Sequence, residues 1–259
     1  MKDVQSEKDY RNIPIEKVGV SSIKYPIRVM DRENGFQDTI SEIDIYVDVP
    51  GDYRGTHMSR FIDALNRHRN NMSLTNLESI LDDVKTLLNA RVAHIQIRFP
   101  YFIKKYAPVT REESLMNYEC AFIASKDTGF DFILEVNTPV HLLCPCSKEI
   151  SDFGSHNQRA NVKVRVRMRK LVWIEEIVEV VENSGSAPLY ALLKREDEKF
   201  IVEKAYLNPK FVEDVVRDVA LILDRDERIT YYEVEAISFE SIHNHNAYAF
   251  VHKDKLKKD

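Results

Sequence analysis

The chain has 259 residues, 44% of them hydrophobic and 31% charged, with a net charge of −5. That is enough apolar material for one large domain or two small ones, each with its own core. A mildly acidic chain lacks the basic face that general nucleic-acid binding requires, and the 7 glycines come without a GxGxxG or GxxxxGKS/T phosphate loop.

No apolar run approaches the roughly 20 residues that span a bilayer. The opening MKDVQSEKDYRN is polar and has no apolar signal region. The expectation is a cytoplasmic protein with neither a membrane nor a nucleic-acid partner. Cys120, Cys144 and Cys146 make an odd count, two of them two positions apart, which favours free thiols in a reducing compartment over a disulfide framework.

Residues 1–22 read as a polar, extended arm. A strand is expected over Lys24–Met30, and Asn34-Gly35 marks a reversal. The next strand alternates Ile43, Ile45, Val47 and Val49 against Glu42, Asp44 and Asp48. Pro50-Gly51 ends it. Two helical patterns follow. His57–Arg69 places Phe61, Ile62 and Leu65 on one side, and Leu74–Asn89 carries Leu77, Ile80, Leu81, Val84, Leu87 and Leu88. Strands are expected over Val92–Lys104 and Leu115–Lys126.

The second half opens with strands over Phe130–Leu142 and Asn161–Arg169, the latter alternating Val162, Val164, Val166 and Met168 with Lys and Arg. A helix is expected over Trp173–Leu193. Another begins at Asn208-Pro209, an N-cap followed by Pro, and carries Phe211, Val212, Val215, Val216, Val219 and Leu223. Strands over Ile229–Phe239 and Ala247–Val251 close the chain. The order is strand-strand-helix-helix-strand-strand, twice: an α+β arrangement of antiparallel sheets, each covered by a helix pair. The expected division is an arm at 1–22, one unit at 23–128 and a second at 129–259. Sheet edges of this kind invite closure by oligomerisation.

Five stretches can carry chemistry. Leu143-Cys144-Pro145-Cys146-Ser147-Lys148 and Gly154-Ser155-His156-Asn157-Gln158-Arg159 fill a connection where a short turn would suffice. Two thiols at i and i+2 are not zinc-knuckle spacing, but they share a side in an extended backbone. One thiolate with His156 gives two soft metal ligands. Buried, inert cysteines are the alternative. Glu240-Ser241-Ile242-His243-Asn244-His245 puts two imidazoles on one face if extended; an incidental surface pair is the plainer reading. Lys194-Arg195-Glu196-Asp197-Glu198-Lys199 reads as a solvated charged turn. Glu213 and Asp214 suit the dipole of a helix start, and a carboxylate there also matches the paired N–H donors of a guanine edge. Gly55-Thr56-His57-Met58-Ser59-Arg60 precedes a helix whose N-terminus, with His57 and Arg60, suits a phosphate.

Taken together, DVQSEKDYRNIPIEKVGV, GTHMSRF, LCPCSKEIS, GSHNQR, LLKREDEKF, NPKFVEDVVRDVA and FESIHNHNAYA resemble the type IB, or prokaryotic-specific, GTP cyclohydrolase family. They run from residue 3 to about residue 250. Ser155 is a minor change at a small position of the G-x-H-N-Q-R motif. The resemblance implies a tunnelling fold of two fused units, a barrel-forming homotetramer and active sites at subunit interfaces. It implies conversion of GTP and water to 7,8-dihydroneopterin triphosphate and formate, the entry to folate-type pterins, with Zn²⁺ or Mn²⁺. It implies metal ligation by a thiolate of the CPC motif (Cys144 favoured, Cys146 the second catalytic group), His156 and Glu198. His156, His243 and His245 are the candidates for proton transfer to the purine nitrogens. Glu213 resembles the carboxylate that anchors the purine. Lys148, Arg159, Arg60, Lys194 and Lys204, with His57, are candidates for the triphosphate.

Two other classes compete. A nitrile reductase on the same fold would use a Cys nucleophile and a nicotinamide cofactor. A zinc-binding oligomeric scaffold would close a four-ligand site.

Overall fold

The computed structural model describes residues 5, 7–68 and 76–257. These form two compact units, residues 1–100 with 121–133, and residues 101–120 with 134–259. The boundary expected at 128/129 falls within the stretch 121–133 that belongs to the first of these units. Strands β3 (Ala93–Tyr106) and β4 (Glu113–Lys126) have 14 residues each, about 46 Å at roughly 3.3 Å per residue. Their two ends therefore belong to different cores.

In the first unit, β1 (Ile15–Asp31) pairs antiparallel with β2 (Gly35–Val49), and β2 with the start of β3. The reversal falls at Asn34-Gly35 as expected. Asp31 Oδ1 accepts the N–H groups of Glu33 and Asn34 at 2.9 and 2.7 Å. Gly35 takes φ +80°, which costs a residue without Cβ little. Ile43, Ile45, Val47 and Val49 are buried. β1 begins at Ile15, so residues 15–22 of the expected arm are strand. Irregular pairing between Ile15 and Val18, and between Val20 and Ile23, interrupts the alternation that would have revealed it.

Helix α1 (Met58–Arg67) buries Phe61, Ala64 and Leu65, and α2 (Leu77–Leu88) buries Leu77, Ile80, Leu81 and Val84. Ile62, expected beside Phe61, is 39% exposed, because adjacent helical residues point about 100° apart. The expected helix limits Arg69 and Leu74 lie outside the described residues.

In the second unit, β5 (Phe130–Leu143), β6 (Asn157–Met168), β8 (Ile229–Ser238) and β9 (Ala247–Asp254) pair antiparallel in that order. The two-residue β7 (Ala187–Pro188) pairs with β5. Val162, Val164 and Val166 are buried. The alternate residues form a charged ladder on the opposite face, where Arg165 meets Glu135 at 2.6 Å and Glu233 at 3.1 Å, and Lys163 meets Glu235 at 2.9 Å. Helix α6 (Val212–Arg225) buries Val212, Val215, Val216, Val219 and Leu223, and packs on β8 and β9. Helix α4 (Ile174–Ser184) packs on α6 and anchors residues 101–120. Tyr101 donates to Glu175 at 2.7 Å, while Lys105 and Tyr118 reach Glu182 at 2.7 and 2.8 Å. Burial pushes the Lys105 ammonium pKa down against the pull of Glu182. Removing either partner of such a pair costs about 3–5 kcal/mol.

Three sequence expectations fail in this unit. Helix α4 stops at Ser184 instead of Leu193, because Gly185 and Pro188 break it and β7 begins. The supposed charged turn at 194–199 is the cap and first turns of α5 (Arg195–Leu207). Asn208 caps the C-terminus of α5 and does not start α6, whose N-cap is Phe211. Helix α5 buries only Asp197 and Ala205, so it has no apolar stripe for periodicity to detect. With the short α3 (Pro145–Ile150), this half holds more than one helix pair.

Asp197 organises the start of α5. Its carboxylate accepts the Lys194 N–H at 2.9 Å, the Val109 and Thr110 N–H groups at 2.8 and 2.9 Å, and the Thr110 hydroxyl at 2.7 Å. Burial pushes this carboxyl up, but the hydrogen bonds from Thr110, Lys194 and Val109 outweigh it and hold the group well below the usual carboxylate range. Its contribution to stability is therefore full above the unfolded value of about 3.9 and disappears as pH falls through and below it. Asp197→Ala should lower the thermal midpoint at neutral pH, with the gap to wild type closing as pH approaches 3. Melts at both pH values check this; a gap that is unchanged or widens in acid would contradict it.

Candidate active site

Strand alternation decides which polar side chains meet at the end of the second unit's buried face. Gln158 is in phase with Ala160, Val162 and Val164 on β6 and pairs with Leu142 on β5. Ser238 pairs with Ala160 from β8. The apolar rows thus end in Gln158 and Ser238. Around them, Leu142, Cys144, His156, Lys210, Phe211, Glu213, Glu240, His243, His245 and Tyr248 line a cavity of about 280 Å³.

The β5–β6 ladder ends at Leu143 and Asn157, and the Cys144 N–H donates to the His156 carbonyl at 3.1 Å. The two residues at the mouth of the connecting loop are thereby backbone neighbours. A hydroxyl clasp holds the loop: Ser155 Oγ donates to the Cys144 carbonyl at 2.7 Å and lies 2.5 Å from Ser147 Oγ. Cys144 is the N-cap of α3, and its Sγ accepts the Ser147 N–H at 3.4 Å. Cys146 sits inside the first turn of α3. The extended geometry that would have put both thiols on one side is therefore replaced by a helical turn, with Cys144 half-buried in the cavity wall and Cys146 exposed.

Three imidazoles gather here. The rings of His156 and His243 are 6.4 Å apart and perpendicular at 83°; those of His243 and His245 stack at 5.1 Å and 16°. Residues 239–246 form a loop, not a strand, so the HxH pair shares a side through stacking. Glu213 reaches the cavity from the first turn of α6. That turn is tied to β5 by the Lys210 N–H donating to the Leu143 carbonyl at 3.1 Å, and is capped where the Phe211 N–H meets Asp214 at 3.0 Å.

A model of the type I GTP cyclohydrolase folE2 family matches residues 1–249. The chain belongs to that family. The GTP cyclohydrolase FolE2 of Kosmotoga olearia is 58% identical over 255 residues, spanning 98% of this chain and 99% of that one. Those of Geobacter sulfurreducens and Thermosipho africanus are 53% and 52% identical over 99% of this chain and 100% of theirs. The fold extends beyond the family. Uricase from Arthrobacter globiformis matches with a TM-score of 0.55 at 8% identity, over 94% of this chain and 96% of that one. A uricase from Bacillus fastidious matches with a TM-score of 0.57 at 6% identity, over 93% of each.

Within this folE2 chain, the remaining expected site residues are not among those that line the cavity. Arg159 is exposed and pairs with His141, so alternation puts it on the sheet face opposite Gln158. Lys148 Nζ donates to the Tyr206 carbonyl at 2.5 Å and lies 4.3 Å over the Tyr206 ring. Glu198 is on the exposed side of the first turn of α5, as are Lys194 and Lys204 along that helix. His57 and Arg60 belong to the first unit, where His57 is the N-cap of α1 and Arg60 Nη1 donates to the Leu87 carbonyl at 3.0 Å. Gln158, Ser238, Lys210 and Tyr248 also line the cavity and are not among the site residues expected from the sequence. For the first two a signal existed: each is a polar residue in phase with buried apolar neighbours.

The site fits a divalent ion in kind. Cys144 and His156 are a sulfur and a nitrogen donor on adjacent backbone. It does not fit in number, because among the described residues no three His, Cys, Asp or Glu groups stand placed to hold a metal. The three thiols should differ in reactivity. Burial, with Glu119, Glu135 and Glu175 nearby, pushes the Cys120 thiol well up. An alkylating reagent should therefore label Cys146 first, Cys144 more slowly and Cys120 only on unfolding. Peptide mass spectrometry over time checks the order; early labelling of Cys120 would contradict it.

Proposed function

We propose that this chain converts GTP and water to 7,8-dihydroneopterin triphosphate and formate, the first step of tetrahydrofolate-type pterin synthesis. The carrying observation is the convergence of Cys144, His156, His243, His245 and Glu213 on one cavity in a chain of the folE2 family. The first water adds to C8 of guanine and opens the C8–N9 bond, leaving a formamide on N7 and a proton on N9. A second water cleaves the C8–N7 bond and releases formate, leaving N7 as an amine, and one water is returned when that amine condenses with the rearranged sugar carbonyl to close the new ring.

Each lining group has a task of matching chemistry. Glu213, an acceptor pair, takes the N1–H and 2-amino donors of the guanine edge. A cavity of about 280 Å³ is near the lower bound of roughly 300 Å³ for small-molecule sites. It suits the purine, with the triphosphate extending outside. Lys148, Arg159, His57 and Arg60 are the proposed triphosphate cations, and His243 or His245 moves the proton at N7 or N9. Cys144 and His156 would hold Zn²⁺ or Mn²⁺, with Cys146 as a second catalytic thiol; Glu198, which lies outside the cavity wall of its own chain, would be the third ligand only where a neighbouring chain of the proposed oligomer brings it to the site. When bound, such an ion supplies the Lewis acidity that makes water nucleophilic near neutral pH.

We also propose a homotetramer of tunnelling-fold chains. The support is β9, which pairs with β8 and exposes Tyr248 and Phe250 at 59% and 47%; edges of this kind seek partners.

Metal-free protein given GTP should release formate only after Zn²⁺ or Mn²⁺ is added, and chelator-resistant release would exclude the metal. Cys144→Ala should lower kcat/KM by about a thousandfold or more, given what loss of a key catalytic group costs. Glu213→Gln should raise KM for GTP by about 10–100-fold, the scale of a mismatched buried hydrogen-bond pair, with metal content unchanged. A kcat effect alone would contradict the anchoring role.

A further inference from the structure

A chain of polar groups runs from the end of β8 to the His156 ring. The Ser238 hydroxyl donates to Glu240 Oε1 at 2.8 Å, and Gln158 Nε2 donates to the same oxygen at 3.2 Å. Gln158 Oε1 lies 2.9 Å from His156 Nδ1. Glu240 Oε2 is 4.0 Å from that ring nitrogen, too far for a direct hydrogen bond. The His156 and Glu240 side chains are each only 12% exposed, and Ser238 is buried. Solvent therefore has little access to rearrange the chain.

Its direction follows from what each group can do. An ionised carboxylate only accepts, so the Gln158 amide nitrogen must be the atom facing Glu240. The planar amide then presents its oxygen to the imidazole. That oxygen also only accepts, so Nδ1 must carry the hydrogen. We infer that Ser238, Glu240 and Gln158 hold neutral His156 in its Nδ1–H form, leaving Nε2 as the basic nitrogen. This is the reverse of the form an unconstrained histidine prefers. Gln158 and Glu240 are positioning residues that act through His156. The consequence for metal affinity rests on the proposed role of His156 as a ligand; the tautomer itself does not. An imidazole whose free nitrogen is fixed in advance binds an ion without first moving a proton.

The variants separate the parts of the chain. Gln158→Met keeps length and removes both polar atoms. Glu240→Gln supplies a donor where only an acceptor stood, so the Gln158 amide can turn over and present its nitrogen to the ring. The test is a long-range ¹H–¹⁵N histidine spectrum of the metal-free full chain at about pH 8, above the ordinary imidazole range, with His156 assigned from a His156→Gln sample. Wild type should show Nδ1 protonated. Gln158→Met should shift His156 to mainly Nε2–H, and Glu240→Gln should give a mixture. Zinc affinity by chelator competition should fall about 10–100-fold in Gln158→Met, the usual cost of losing such a support. An Nε2–H wild type, or a tautomer unchanged in both variants, overturns the inference. Absence of zinc binding by wild type would count against the metal reading alone, because the spectra are recorded without metal.

Discussion

The site depends on where the β5–β6 ladder stops. Pairing of Leu143 with Asn157, and the hydrogen bond from the Cys144 N–H to the His156 carbonyl, put a thiol and an imidazole at the two ends of one loop and side by side. Shifting the register by one residue would exchange the faces of every side chain on β6. Val162 and Val164 would then turn to the charged ladder, and Gln158 would leave the cavity. The burial that holds the valines therefore also holds the site. Closing the loop carries an entropic cost that grows only slowly with length, and the Ser147–Ser155 clasp onto the Cys144 carbonyl fixes it locally.

The same alternation explains why the site is polar where it is. A buried polar group is costly unless its hydrogen bonds are satisfied. Gln158, Ser238 and Glu240 satisfy one another at the end of an apolar row, so the structure tolerates them there. The N-terminus of α6 contributes Glu213 because the segment after Asn208 is tied to the last carbonyl of β5. Cys144, His156 and Glu213 thus trace to one end of one sheet.

Much of this was legible in the sequence. The alternation of Ile43, Ile45, Val47 and Val49, the Asn34-Gly35 turn and the valines of β6 and α6 all appear where their periods put them. The motifs around Cys144, His156, His243 and Glu213 marked the residues that converge. What stayed hidden has physical causes. Helix α5 buries almost nothing, and Asp197 fixes it through contacts distant in sequence. Irregular pairing masks the start of β1. The helical turn at Pro145 separates two cysteines that an extended chain would align. Gln158 and Ser238 carry no reactive group, and their only mark in the sequence is a polar side chain in phase with buried apolar ones.

We propose that Cys144 and His156 jointly hold a divalent ion. X-ray absorption of the zinc-loaded full chain tests it most directly. The account predicts one sulfur neighbour at about 2.3 Å with nitrogen or oxygen neighbours at about 2.0–2.1 Å, and loss of the sulfur shell in Cys144→Ser but not in Cys146→Ser. A shell of oxygen and nitrogen alone, or a sulfur that persists without Cys144, would contradict it.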